Sequence, residues 1–328
     1  MAPPYEKYDP ELAAILAKSG APDVFDDEAL KAQREFERKF DVKKLLEQFP
    51  TLEHEEITIE GAHHNTFALS IFRPKDKDKK VKVPGIYYIH GGGMIFGHRF
   101  SGIETVLPFV AKYQAVCISV EYRLAPENRA PSATYDCYDG LLWVGENLKE
   151  LGIDKSKLLI LGRSAGAALA AGTVLRMRDY KAGPKICGMI LNFPMLDDRS
   201  NTNSCKEFED TKPWSRQSNE YAWKQVLGYA YGTAQVSSYI APARETDLTR
   251  LPPTYIDVGS AEIFRDEAND FAKRLGKAKV SVEFVQWEGG YHCFDNVKGP
   301  CKLRDKAIKA RYSWMERVLG LKACGLVI

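Results

Sequence analysis

The hydrophobic positions along this chain change their period from one stretch to the next. Residues 26–49, "DDEALKAQREFERKFDVKKLLEQF", open with acidic side chains and place Leu30, Phe36, Phe40 and Leu45 on one face, which predicts a helix. Residues 54–60 and 66–74 alternate with a period near two and predict strands. "GIYYIH" (85–90) and "AVCISVEY" (115–122) are unbroken short apolar runs, as in strands buried on both faces. Helix and strand then take turns. Helices are expected at 132–150, 164–179, 264–277 and 303–320, with strands at 157–161, 186–192, 254–259 and 280–287. Early antiparallel-type strands followed by βα units predict an α/β protein with a mostly parallel, doubly wound sheet. No internal repeat or flexible linker divides the chain, so residues 1–328 are read as one domain.

One stretch, about 197–250, breaks the alternation. Its segment 208–232 carries Phe208, Trp214, Tyr221, Trp223, Tyr229 and Tyr231. These aromatics either face a substrate or seal the insertion's own small core, and a lid does both. Residues 1 to about 45 are expected to dock beside it.

Composition narrows the function. The 46 basic and 44 acidic residues nearly cancel, and no basic block carries interleaved aromatics, so nucleic acid is not an expected partner. The charge run at 75–80 reads as a solvated turn between strands. No apolar run approaches the roughly 18 residues of a membrane span. The N-terminus lacks the pattern of a secretory signal and "CGLVI" (324–328) matches no lipidation or retention signal. Seven scattered cysteines without CxxC spacing fit reduced thiols and a cytoplasmic protein, with no metal site expected.

Three features carry candidate chemistry. "KLLILGRSAGAALAAG" (157–172) reads as strand, Gly-x-Ser-x-Gly turn and small-residue helix, which exposes the Ser164 hydroxyl at the carboxyl end of a sheet. His90-Gly91-Gly92-Gly93 follows a strand, and a triple-glycine loop lets backbone amides approach a developing oxyanion closely. The Ala165 amide is the expected remaining donor. "EGGYHCF" (288–294) places His292 in a loop after a late strand. Of the six histidines, it alone follows the serine in chain order.

Together these motifs resemble the hormone-sensitive-lipase family of α/β-hydrolases over roughly residues 50–320. "HGGG", "YRLAPE" (122–127), "GRSAG" and "GYHCF" each match a family landmark. The resemblance implies an α/β-hydrolase fold: an eight-stranded, mostly parallel sheet flanked by helices, with a helical cap from about 1–45 and 197–250. It also implies hydrolysis of short acyl esters without a cofactor. The family's acid lies in a loop after the seventh strand. Here that loop is "GSAEIFRDE" (259–267), and the matching position is Glu262. Asp266 is the runner-up, although Asp266 and Glu267 also suit the first turn of a helix. Asp257 falls inside a strand and too early.

The expected function is therefore a serine carboxylesterase acting on short-chain or small lipophilic esters. Ser164 is the nucleophile, His292 the base and Glu262 its partner, with Gly91, Gly92, Gly93 and Ala165 forming the oxyanion hole. Met94, Phe96, Trp214 and Tyr221 are candidate substrate contacts, although the run 94–96 equally suits core packing. Two alternatives remain: a lactonase or deacetylase of a secondary metabolite, or a non-catalytic small-molecule binder. The family's receptor pattern lacks the catalytic histidine, and His292 is present here. A homodimer is compatible with the resemblance. Arg163 stands where the family usually has aspartate. It is read as pairing with a carboxylate, binding an anionic substrate, or lowering the pKa of His292 as a like charge.

Overall fold

Short apolar runs rich in β-branched and aromatic residues pair into one eight-stranded sheet. The strands of this computed structural model are β1 (Leu52–Glu60), β2 (Thr66–Pro74), β3 (Val83–Ile89), β4 (Val116–Val120), β5 (Ile153–Arg163), β6 (Gly188–Asn192), β7 (Thr254–Gly259) and β8 (Val282–Trp287). Their order is β1-β2-β4-β3-β5-β6-β7-β8. β2 runs antiparallel to β1 and β4, and the pairings from β4 to β8 are parallel. The helices are α1 (Pro10–Leu16), α2 (Asp27–Glu37), α3 (Val42–Glu47), α4 (Leu107–Tyr113), α5 (Ser132–Glu146), α6 (Ala165–Tyr180), α7 (Asn203–Glu207), α8 (Arg216–Leu227), α9 (Arg265–Lys277) and α10 (Lys302–Leu319). The structure describes residues 7–20, 24–62, 64–76 and 81–321. The start of the expected N-terminal cap, most of the expected turn at 75–80 and the C-terminal "CGLVI" lie outside the described residues.

Successive strand residues point to opposite faces, and that alternation sorts the core in two. Tyr87, Ile89, Ile118, Leu158 and Ile160 enter one cluster, which Leu141 of α5 and Leu169 of α6 close. Ile86, Tyr88, Cys117, Leu159 and Leu161 enter the other, beneath Val110 of α4 and Met315 of α10. Each fully buried aliphatic side chain contributes roughly 1.5–3 kcal/mol.

The two clusters also locate the site. After β3 the chain turns to α4 on one face, and after β5 to α6 on the other. Adjacent parallel strands whose connections diverge leave a crevice at their carboxyl ends. Ser164 and the glycine loop open into it.

The single helix expected over 26–49 is two helices. Asp41 accepts the Lys43 amide at 2.9 Å and starts α3 afresh, because a short carboxylate side chain competes with helix continuation. The break splits the expected apolar face. Leu30 is buried in the first cluster and Leu45 in the second. Phe36 and Phe40 stay 70% and 41% exposed.

In the insertion, Ser215 caps α8 by accepting the Ser218 amide at 3.1 Å. Phe208 and Trp223 are sealed inside, and Tyr229 is exposed. The two halves of the expected cap meet directly: Phe25 lies 5.3 Å from Trp214 between ring centroids, and its amide donates to Ser218 Oγ at 3.0 Å.

The restart of the chain at α3 rests on one side chain. Asp41→Ala should lower stability in urea by about 1 kcal/mol, whereas Asp41→Asn, which still accepts the amide, should stay near wild type.

Candidate active site

β5 runs straight into α6 with one residue between, and that residue is Ser164. Its backbone sits at φ +52°, in the left-handed region that costs a non-glycine residue energy. The turn is tight because its surroundings leave no room. A Cβ at Gly162 would meet the Gly166 carbonyl oxygen at 2.1 Å, and one at Gly166 would meet the Ile89 oxygen at 2.2 Å. The Ser164 amide donates to Asn192 at 2.9 Å, and its carbonyl accepts the amides of Ala167 and Met195. The hydroxyl is thereby aimed into the crevice.

There it meets His292. Ser164 Oγ is 2.8 Å from His292 Nε2, and His292 Nδ1 is 2.6 Å from Glu262 Oε2. The other Glu262 oxygen accepts the Gly259 amide at 2.9 Å, which fixes the carboxylate. Phe193 and Phe264 hold the imidazole edge-on, at 5.2 and 4.9 Å between centroids. Burial pulls the His292 imidazolium down, and the neighbouring Cys293 and Glu262 outweigh it, so the group is held above its ordinary value.

The other candidate carboxylates are engaged elsewhere. Asp266 accepts the Ser204 amide at 2.7 Å and pairs with Arg265, and Glu267 accepts the Leu196 amide at 2.6 Å. Both sit in the first turn of α9. Asp257 lies in β7 and accepts from Asn192 at 2.6 Å. His90 is buried, stacked on Tyr122 at 4.1 Å, with its Nδ1 2.7 Å from the Gly91 carbonyl. Burial lowers its pKa to about 3, so the ring stays neutral.

The glycine loop presses against the serine turn. A Cβ at Gly91 would lie 3.2 Å from Ser164 Cβ. Gly92 has φ +108°, and its carbonyl accepts the amides of Ile95 and Phe96 at 2.9 Å, closing the loop. Among the described residues, the amides of Gly92, Gly93 and Ala165 donate to no backbone carbonyl. The Ala165 amide opens α6 and has no intrahelical acceptor.

Above the serine lies a cavity of about 1060 Å³, walled by α2, the glycine loop and the insertion. Phe96 and Trp214 line it, as do Phe25, Phe36, Phe40 and Phe100, which sequence reasoning had not assigned to a site. Two expected substrate contacts are not there. Met94 is buried and outside the lining, with its carbonyl bound to the Ala125 amide. Tyr221 is also outside, and its hydroxyl donates to Asp27 at 2.6 Å, tying α8 to α2. Among the described residues, no group of three His, Cys, Asp or Glu side chains is placed to hold a metal ion.

Arg163 borders the cavity but points its guanidinium away from open solvent, at 2% exposure. It makes a bidentate pair with Asp295 at 2.7 and 2.9 Å and also donates to Asn296 Oδ1 and Thr105 Oγ1, each at 2.9 Å. Asp295 accepts from Arg311 at 2.9 Å as well, and Arg311 reaches Asp257 at 3.3 Å. Burial pulls the Asp295 carboxyl up, but the two arginines hold it below the usual carboxylate range. The Arg163 charge is met by Asp295, and the shift of His292 comes from burial, Cys293 and Glu262. Nothing in the spacing of Arg163, Asp295 and Arg311 signals their meeting.

The model of a family described as alpha/beta hydrolase fold matches residues 86–296. A putative alpha/beta hydrolase of Acanthamoeba polyphaga mimivirus is 30% identical over 247 residues, covering 74% of this chain and 69% of the relative. The 3-O-acetylpapaveroxine carboxylesterase of Papaver somniferum is 32% identical over 262 residues, 70% of this chain and 79% of that one. Among solved structures, a bacterial heroin esterase superposes with a TM-score of 0.84 at 33% identity, covering 96% of this chain and 99% of the other.

The upward shift of His292 has a testable consequence. A folded value raised above the unfolded value of about 6.5 means the Glu262–His292 pair stabilises fully below that pH. The contribution is lost as pH rises through the folded value. Glu262→Gln should therefore cost on the order of 2 kcal/mol in urea unfolding at about pH 6, and the gap to wild type should narrow through the alkaline range. A gap independent of pH would contradict the coupling.

Proposed function

The chain belongs to the α/β-hydrolase-fold family, among its hormone-sensitive-lipase-like carboxylesterases, and from that premise we propose that Ser164, His292 and Glu262 hydrolyse carboxylic esters through an acyl-enzyme. One observation carries the assignment: an unbroken hydrogen-bonded line from Ser164 Oγ through the imidazole to Glu262, at the floor of a cavity. In its neutral form, which gains as pH rises through the raised pKa of the group, His292 takes the hydroxyl proton as Ser164 attacks the ester carbonyl. The Glu262 carboxylate requires the hydrogen on Nδ1, which leaves Nε2 free to accept, and it then stabilises the imidazolium. That same interaction supports the raised pKa of His292.

The amides of Gly92, Gly93 and Ala165 receive the oxyanion, and Gly91 permits the close approach of the loop. Each such donor is worth about 3 kcal/mol in the transition state. His292 next protonates the departing alcohol, and a water activated by the same imidazole releases the acid. The cap is read as about 1–45 together with 197–250, with α3 returning the chain to the sheet. A Cβ at Gly93 would come within 2.9 Å of the Trp214 ring, so Trp214 stands over the oxyanion loop and bounds the acyl group to short chains. The free Cys117, Cys137, Cys187, Cys205, Cys293 and Cys301 suit a reducing, cytoplasmic setting.

Ser164→Ala should lower p-nitrophenyl butyrate hydrolysis by at least about a thousandfold, and retention of wild-type turnover would require another nucleophile. Trp214→Ala should raise the ratio of laurate to butyrate hydrolysis about tenfold or more, on the scale of differences worth 1–3 kcal/mol in an apolar pocket. An unchanged chain-length profile would remove Trp214 from the acyl boundary.

A further inference from the structure

We propose that Arg163 is a positioning residue that holds the His292 loop in register with the nucleophile. The inference rests on the reading of Ser164 as nucleophile and His292 as its base. Arg163 is bonded directly to Ser164 in the chain, while Asp295 follows His292 by three residues. The bidentate pair between them closes a second link around the 2.8 Å Ser164–His292 contact.

The His292 loop is tethered on two sides. Upstream, the Gly290 carbonyl accepts the Ala261 amide at 3.0 Å. Downstream, Cys293 takes a left-handed φ of +60° and the chain enters a short 3-10 turn, Phe294–Asn296. Arg163 grips that turn at both Asp295 and Asn296. Its remaining bond reaches Thr105, in the segment that follows the oxyanion loop. One guanidinium therefore joins the three pieces of chain that hold the nucleophile, the base loop and the approach to the oxyanion loop. A planar fork with several fixed donors suits this task, and a lysine ammonium cannot reproduce it.

The same geometry argues against recognition of an anionic substrate. Both terminal guanidinium nitrogens of Arg163 are hydrogen-bonded to protein oxygens, and its charge is met by Asp295. Without Arg163, Arg311 has to serve both Asp295 and Asp257, so a neutral side chain at 163 leaves one buried negative charge in excess, whereas lysine at 163 keeps the charge balance and changes only the geometry.

The test uses Arg163→Met and Arg163→Lys, with kcat and KM referred to folded protein by circular dichroism and gel filtration. Arg163→Met should lose about a hundredfold in kcat, as for a reacting group displaced by about 1 Å, with KM for p-nitrophenyl butyrate within about twofold of wild type. The rate of fluorophosphonate labelling of Ser164 should fall in parallel. Arg163→Lys should lie between Arg163→Met and wild type. If Arg163→Met does not fold, a smaller kcat loss with unchanged KM in Arg163→Lys decides the matter. Wild-type kcat per folded molecule, with only the melting temperature reduced, overturns the proposal. So does a KM increase confined to acidic esters. Failure of the underlying reading is separate: it appears as turnover retained in Ser164→Ala or as no labelling of the wild-type protein.

Discussion

The backbone of Ser164 is the constraint on which the rest of the site depends. A non-glycine residue at φ +52° persists only where its neighbours allow no alternative. Here Gly162 and Gly166 let β3, β5 and α6 approach to distances that any side chain would forbid. The turn lifts the hydroxyl off the end of the sheet and brings the glycine loop against it. It also starts α6 with an amide that no helical carbonyl can satisfy. The aimed serine hydroxyl and the Ala165 amide without a backbone acceptor are thus two results of one packing arrangement.

His292 reaches Ser164 by a different route. His292 and Glu262 arrive on loops after β8 and β7, and those loops are held by polar contacts beneath the turn. Arg163, Asp295, Arg311 and Asp257 form a buried line of alternating charge with no net excess. Such a line is not a strong source of stability, because taking each ion out of water offsets most of the attraction. Removing one partner is another matter, since it leaves a charge uncompensated at a cost of about 3–5 kcal/mol. The network therefore acts through geometry: it tolerates one arrangement of the loop and penalises others.

The cavity walls combine apolar surface with polar fastenings. α2 and the break that follows it bring Phe36 and Phe40 to the cavity, while Arg34 of α2 donates to the carbonyls of Ile95 and Ala125 at 2.8 and 2.6 Å. Glu37 accepts the Gly97 amide at 2.8 Å, and burial raises its pKa. These contacts hold exposed aromatic rings near Ser164 without the packing that would bury them. Trp214 serves both sides of the insertion: it packs on Phe25 within the wall and stands over the glycine loop.

The strands, the helices that flank them, and the candidates Ser164 and His292 were legible in the chain, because each depends on local period or on a short motif, whereas Glu262 was singled out over Asp266 only through the family resemblance. Gly162, Ser164 and Gly166 announce a tight turn by composition alone. The break between α2 and α3 was not legible, since the apolar spacing runs through it and a single capping carboxylate, Asp41, decides it. Met94 and Tyr221 carried the right chemistry for a binding wall, but backbone and hydroxyl contacts turned them elsewhere. Arg163 was visible as an oddity, and only the fold supplied its answer. Asp295 and Arg311 lie 132 and 148 positions away, and no local pattern records which distant charges share a buried space. Sequence by itself determined which groups were available and roughly in what order. Tertiary structure decided which of them meet, because a buried charge must find its partner wherever the folded chain places one.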